Sequence, residues 1–258
     1  MTALEQKVTE FSAGLSKATD SDVIHLQTLR KAIGLVAVAL PFLLLAGENL
    51  RDWILTNDGR VGDVIVEASI SAYFHTGMRE VFVGSLCAIA VFLVCYKGYD
   101  RRDNIAANIA GVSAFLIALF PTREISREAG DTGLRVIDSA TLFSGPESAD
   151  PAYVSIVHFT AAAIFFVTLA VMSLFLFTLS DRPDPAPRKL QRNTVFVVCG
   201  WTIIASVISI ALAKLVLPEE WTERTSMVFW LETIAVVAFG ISWLTKAEVF
   251  LGDLRGSP

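Results

Sequence analysis

Tyr153-Val-Ser-Ile-Val-His-Phe-Thr-Ala-Ala-Ala-Ile-Phe-Phe-Val-Thr-Leu-Ala-Val-Met-Ser-Leu-Phe-Leu-Phe-Thr-Leu-Ser180 holds a single histidine and no Asp, Glu, Lys or Arg. A helix needs roughly 17 to 25 apolar residues to cross a bilayer, so this run is long enough to span one. Five further apolar runs accompany it, at 32–50, 79–97, 104–121, 194–217 and 226–247. The whole chain of 258 residues is 53% hydrophobic and 18% charged, with a mean hydropathy of +0.57. An ordinary soluble domain carries roughly 25% charged residues, and its apolar residues fall in short amphipathic pieces. The expected class is therefore all-α: a six-transmembrane-helix bundle, with no pattern of alternating ten-residue strands for a barrel.

Lys and Arg set the expected orientation. Most of the 21 basic residues precede the first run, fill the 2–3 turn (Lys97, Arg101, Arg102), fill the 4–5 loop (Arg182, Arg188, Lys189, Arg192) or close the chain. Both termini are thus expected in the cytoplasm, in a bacterial inner membrane, with the loops 51–78 and 122–152 outside. Residues 1–31 form a cytoplasmic segment, 32–250 the membrane domain and 251–258 a short tail. No apolar h-region precedes a small-residue site, so the first run is expected to stay in the mature chain. In the N-terminal segment Leu4, Val8, Phe11 and Leu15 recur at spacings of three and four. They describe either an amphipathic helix on the inner membrane surface or a frayed tail. The proline-rich stretch Asp181–Arg188 reads as a stiff connector. With a net charge of -5 and no dense basic stripe, nucleic acid is not an expected partner.

Packing signals are visible inside the runs. Pro41 removes a backbone donor and is expected to kink span one. Gly84/Ala88 and Ala107/Gly111 offer small faces for close approach of spans two and three. Asn104 and Asn108, one turn apart, are candidates for hydrogen bonds across the bundle.

Charged groups inside a bilayer are costly, so their positions are the candidates for function. At about 1.5 Å per residue, His158 lies about 8 Å and Glu232 about 9 Å below the outer end of its span. Glu48, Glu80 and Lys214 mark helix ends, where long side chains snorkel to water. A buried imidazole and a buried carboxylate each need a partner. His158 and Glu232 either share an outward-facing polar cavity or bond separately to backbone and hydroxyl groups.

The richest segment is Glu67-Ala-Ser-Ile-Ser-Ala-Tyr-Phe-His-Thr-Gly-Met-Arg-Glu80. As a helix it would align Glu67, Ser71 and His75. As an extended segment it would align Ser69, Ser71, Tyr73 and His75 opposite Val66, Ala68, Ile70, Ala72 and Phe74. The alternation is the cleaner pattern and favours an extended or re-entrant start capping the outer mouth. The candidate binding set is Glu48, Ser71, Tyr73, His75, Arg79, Glu80, His158 and Glu232. The expected role is binding of a lipid or small amphiphile, or support of a membrane complex or homo-oligomer, with no cofactor. The alternative is a zinc-dependent hydrolase of lipid amides or esters, with His75, His158 and Glu80 as ligands and an open position for water. A metal-free nucleophile, Ser71 with His75, has no GxSxG elbow behind it.

Ser69–Gly84, Tyr96-Lys-Gly-Tyr-Asp100, Asn108-Ile-Ala-Gly111, Leu119-Phe-Pro-Thr122 and Val157-His-Phe159 resemble a group of uncharacterised bacterial multi-pass membrane proteins. That resemblance runs from about residue 32 to 250 and implies an inner-membrane protein. Ser71 and His75 also resemble, distantly, the SxxxH motif of the CREST superfamily of membrane hydrolases, the alkaline-ceramidase type. The resemblance implies zinc and lipid hydrolysis; the later HxxxH pair of those enzymes has no counterpart here.

Overall fold

The computed structural model describes residues 3–56, 64–98, 100–122, 152–180 and 187–251, with side chains from Gln27 to Leu55 in the first helix and from Val154 in the fourth. The loop 123–151, the connector 181–186 and the tail 252–258 lie outside the described residues. Among the described residues seven α-helices follow one another: α1 (Ala3–Thr56), α2 (Arg79–Cys95), α3 (Arg101–Leu119), α4 (Ala152–Val171), α5 (Pro187–Val216), the short α6 (Glu219–Arg224) and α7 (Met227–Lys246). No strand occurs among the described residues. The six long helices close a ring in the order α1, α2, α3, α4, α5, α7 and back to α1.

Four of these helical stretches are long and apolar enough to cross a membrane: Gln27–Leu55, Val154–Leu176, Pro187–Val216 and Met227–Lys246. The other two expected spans are helical but less clear-cut. α2 has 17 residues, at the lower limit for a span, and α3 opens on Arg101, Arg102 and Asp103.

Local chemistry explains several boundaries. α3 starts where the Asp100 side chain accepts a bond from the Asp103 amide at 2.9 Å, an N-cap. α4 ends in a π-helical turn, Met172–Leu176, in which the Phe177 amide reaches the Met172 carbonyl at 2.9 Å. The turn carries Ser173, whose hydroxyl meets that of Ser242 on α7 at 2.8 Å, both fully buried. α1 runs unbroken through Pro41 and back to Ala3, so the N-terminal segment is the same helix as the first span.

Packing rests on small residues, but only in part on the expected ones. A Cβ on Gly111 would stand 2.9 Å from the Ala90 carbonyl, and Ala107, Ala110 and Ala114 are fully buried; α2 and α3 therefore touch along the second small face. Gly84 has open space where a Cβ would be, so it does not belong to that contact. An equally close approach falls elsewhere, where α1 crosses α7 at Gly34 and Gly240. A Cβ on either would stand within 2.9 Å of the other's carbonyl oxygen. Asn104 does not reach across the bundle; its Oδ1 accepts from the Gly98 amide at 2.7 Å, and Asn108 is exposed.

Candidate functional site: the capped end of the bundle

Between α1 and α2 the chain returns over the ends of the helices. Residues 64–70 are non-helical, and Ser71–His75 form a 3-10 turn. The extended alternation fails here because the amides bond three residues back: Ala72 to the Ser69 carbonyl, Tyr73 to Ile70 and Thr76 to Tyr73. Tyr73 and Phe74 are consequently both buried although they are neighbours in sequence.

An irregular segment leaves backbone groups without partners of its own, and the surrounding helices supply them. Asn49 of α1 pairs with Ile65 in both directions: its Oδ1 accepts the Ile65 amide at 2.8 Å and its Nδ2 donates to the Ile65 carbonyl at 2.9 Å. At the start of α7, the hydroxyl of the N-cap Ser226 donates to the Val66 carbonyl at 2.9 Å and the Phe229 amide to the Ala68 carbonyl at 3.1 Å. Glu232 Oε2 accepts the Ile70 amide at 2.6 Å. Ser226 sits at a φ of 47°, a left-handed conformation uncommon for a residue with a side chain. The turn between α6 and α7 holds it there, and its hydroxyl is aimed at the cap.

His158 closes the other side. Its Nδ1 lies 2.6 Å from the Phe120 carbonyl, which can only accept, so Nδ1 carries the proton. On the neutral ring Nε2 is then the acceptor, and the Ser71 hydroxyl donates to it across 2.9 Å. His75, exposed, reaches the Thr122 carbonyl at 2.8 Å. The two histidines thus grip carbonyls two residues apart on the strand-like exit from α3. Tyr73 packs on Phe229 with ring centroids 5.8 Å apart, and burial pushes its phenol up to about 12. The Arg79 guanidinium lies 4.2 Å over the Phe74 ring. Glu48 is buried and paired with Arg51 at 3.2 Å, whereas Glu80 is exposed in the first turn of α2, where the helix dipole favours a carboxylate.

The eight candidate residues therefore gather at one end of the bundle, but in separate bonds. His158 meets Ser71 and Phe120, Glu232 meets the Ile70 amide, and His75 meets Thr122. Ser71 is the partner of His158 rather than of His75. Asn49 and Ser226 carry no signal of this role in the sequence, because a polar residue at the end of an apolar run reads as an ordinary boundary.

Two chemistries can be weighed on this geometry. A serine held by a histidine that is itself oriented by a third group is the arrangement of a nucleophile and its base. Acyl transfer also needs donors for the oxyanion, and the nearby amides of Ile70, Ala72 and Tyr73 are already bonded to Glu232, Ser69 and Ile70. For zinc, both ring nitrogens of His158 are engaged, and no three His, Cys, Asp or Glu side chains are grouped to hold a metal among the described residues. Because His158 spends both ring nitrogens on protein partners, elemental analysis of protein purified without chelators is expected to give the same zinc content in wild type, His75→Ala and His158→Ala. His158→Ala should instead lower thermal stability. One zinc per chain lost in both variants would refute this.

Four apolar helices of spanning length are compatible with an integral membrane protein. No family model, no curated protein and no solved structure matches the chain.

Proposed function

We propose that this is an integral protein of the bacterial inner membrane, with six spans and cytoplasmic termini, that binds the acyl chain of a lipid or amphiphile along the seam between α4 and α5. What supports the reading is a shallow apolar groove between these helices, lined by Phe166, Val167 and Ala170 of α4 and Ile203, Ile204, Val207 and Ile208 of α5. On a bilayer-facing seam without polar groups the matching occupant is an acyl chain, which contacts the walls by van der Waals packing alone. The ligand is assigned to this seam rather than to the capped end because its walls are apolar, whereas His158, Ser71, His75 and Glu232 at the cap are bonded within the protein. The ring of six long helices supports six spans, and the basic residues at one end support the orientation.

Filling the groove tests the reading. Val207 is half-buried at its edge, so Val207→Trp should place an indole where the chain would lie. Native mass spectrometry of detergent-purified protein is expected to show bound lipid on the wild type and several-fold less on the variant, with both equally stable to heat. Equal lipid on the two would refute the assignment.

A further inference from the structure

α1 repeats one apolar pattern along a single face. Leu4, Val8, Phe11 and Leu15 near its start and Ile33, Ala37, Leu40 and Leu44 inside the bundle share the same spacing, each residue of the second set standing 29 positions after its counterpart in the first. Eight turns of about 3.6 residues make about 29 residues, so the two sets lie on the same side of the helix. The second set is buried against the bundle, with Ile33, Ala37 and Leu44 fully enclosed. The first set therefore lies on the side of α1 that faces the bundle's own footprint, beyond its end.

Both neighbours of α1 stop before that level. Gly34 meets Leu244 while Val38 meets Gly240, so α1 and α7 run antiparallel and Lys246, the last residue of α7, falls about level with Arg30. Tyr96, just past the end of α2, is covered by the same Arg30 at 5.5 Å. Residues 3–26 thus run about 36 Å past the ends of α2 and α7, at about 1.5 Å per residue. A helix without a neighbour is marginal in water, and helices draw most of their stability from packing an amphipathic face.

The register and the charge decide between occupants. A bilayer surface lies across the axis of a spanning helix, and α1 continues from the stripe into the span without a break. Residues 3–26 also carry Glu5, Glu10, Asp20 and Asp22 against Lys7 and Lys17, a balance that an anionic leaflet repels. A second copy in the same membrane would have to bring its own α1 into the footprint of this bundle, because the stripe faces that way. A soluble protein meets neither obstacle, and apolar residues at i, i+4, i+7 and i+11 are how an amphipathic helix fills a groove. Asp22 adds the charge complement: seven residues after Leu15 and seven before Leu29, it stands where an apolar residue would continue the stripe. A carboxylate on a packed seam needs a cation opposite it.

We infer that residues 4–22 are the docking helix for a soluble protein of the compartment that the N-terminus faces, one with an apolar groove for Leu4, Val8, Phe11 and Leu15 and a lysine or arginine opposite Asp22. That compartment is the cytoplasm in the orientation proposed above. The lipid seam plays no part in the inference.

The test places photoreactive benzoylphenylalanine in the full-length protein, in cells that make it naturally, at Val8 or Leu15 on the stripe and at Gln6 or Ala13 on the opposite face. Irradiation is expected to join one soluble protein, identified by its peptide masses, at Val8 and Leu15 but not at Gln6 and Ala13. Asp22→Lys should cut that adduct about fivefold without changing the amount of folded protein in the membrane. The joined protein, once purified, should bind detergent-purified wild type about tenfold more tightly than it binds Phe11→Asp. Adducts with lipid would make residues 3–26 a surface helix and overturn the inference. Adducts between two copies of the chain, equal yields at all four positions, or no adduct at any of them would overturn it as well. A partner from the periplasm would overturn the proposed orientation and support the docking helix.

Discussion

Gly240→Leu is expected to destabilise the protein by about 3 kcal/mol, the upper end of what overpacking costs, and to leave little folded protein in detergent. The reason is the α1–α7 crossing, where a Cβ at position 240 would lie 2.8 Å from the Gly34 carbonyl oxygen and 2.5 Å from Val38 Cγ2. Side chains can turn away from an intruding methyl, but a helix carbonyl cannot. The helices would have to separate, and the Ser173–Ser242 bond and the packing of Trp243 lie on the same stretch of α7. In a bilayer the cost is not offset elsewhere, because helix association there depends on close van der Waals contact. Gly84→Leu is the matched control, since nothing lies within 4 Å of a Cβ at that position. It should change stability by less than about 0.5 kcal/mol. Unfolding by sodium dodecyl sulfate, followed by circular dichroism, compares the two; equal midpoints would show that the Gly34–Gly240 contact does not hold α1 to α7.

The second large effect belongs to the cap. Glu232→Ala removes the acceptor 2.6 Å from the Ile70 amide, and Ile70 is 5% exposed, so water cannot readily replace it. A buried donor left without a partner costs about 1 to 3 kcal/mol. Glu232→Gln keeps a carbonyl oxygen in place and should cost less than half as much. Hydrogen exchange of the 64–78 amides reads the local consequence: faster exchange in Glu232→Ala, near-native exchange in Glu232→Gln. If the alanine variant exchanged and unfolded like the wild type, Glu232 would not be fastening the cap. The Ser71–His158 contact is a second fastener on the opposite side of the segment, so damage at Glu232 is expected to loosen rather than unfold the bundle.

Legibility in the sequence followed the range of the interaction involved. The run 153–180 became α4 and its π turn, ending at Leu176, and the run 226–247 became α7 almost residue for residue. The N-terminal stripe of Leu4, Val8, Phe11 and Leu15 was separable from span one by composition, yet the backbone continues as one helix from Ala3 to Thr56. Polarity changes at that boundary, but nothing there breaks the hydrogen-bond ladder. At Ser69–His75 the alternation of polar and apolar residues pointed to an extended strand. A short segment with no neighbouring strand to pair with satisfies its amides more cheaply in a 3-10 turn, and this put Tyr73 and Phe74 both inside.

What the sequence alone determined was the class: apolar runs of spanning length, and the ends at which charge collects. These follow from transfer free energies, which add residue by residue along the chain and need no knowledge of neighbours. It also singled out His158 and Glu232 as costly groups that must have partners. Which partners they have was decided only by the tertiary structure. Glu232 meets an amide 162 residues away, and His158 meets a hydroxyl 87 residues away. The Gly34–Gly240 crossing arises in the same way, from the order in which the helices close their ring. Helix propensity and hydropathy are properties of a segment, whereas contacts between segments depend on rotation and register that no single segment encodes.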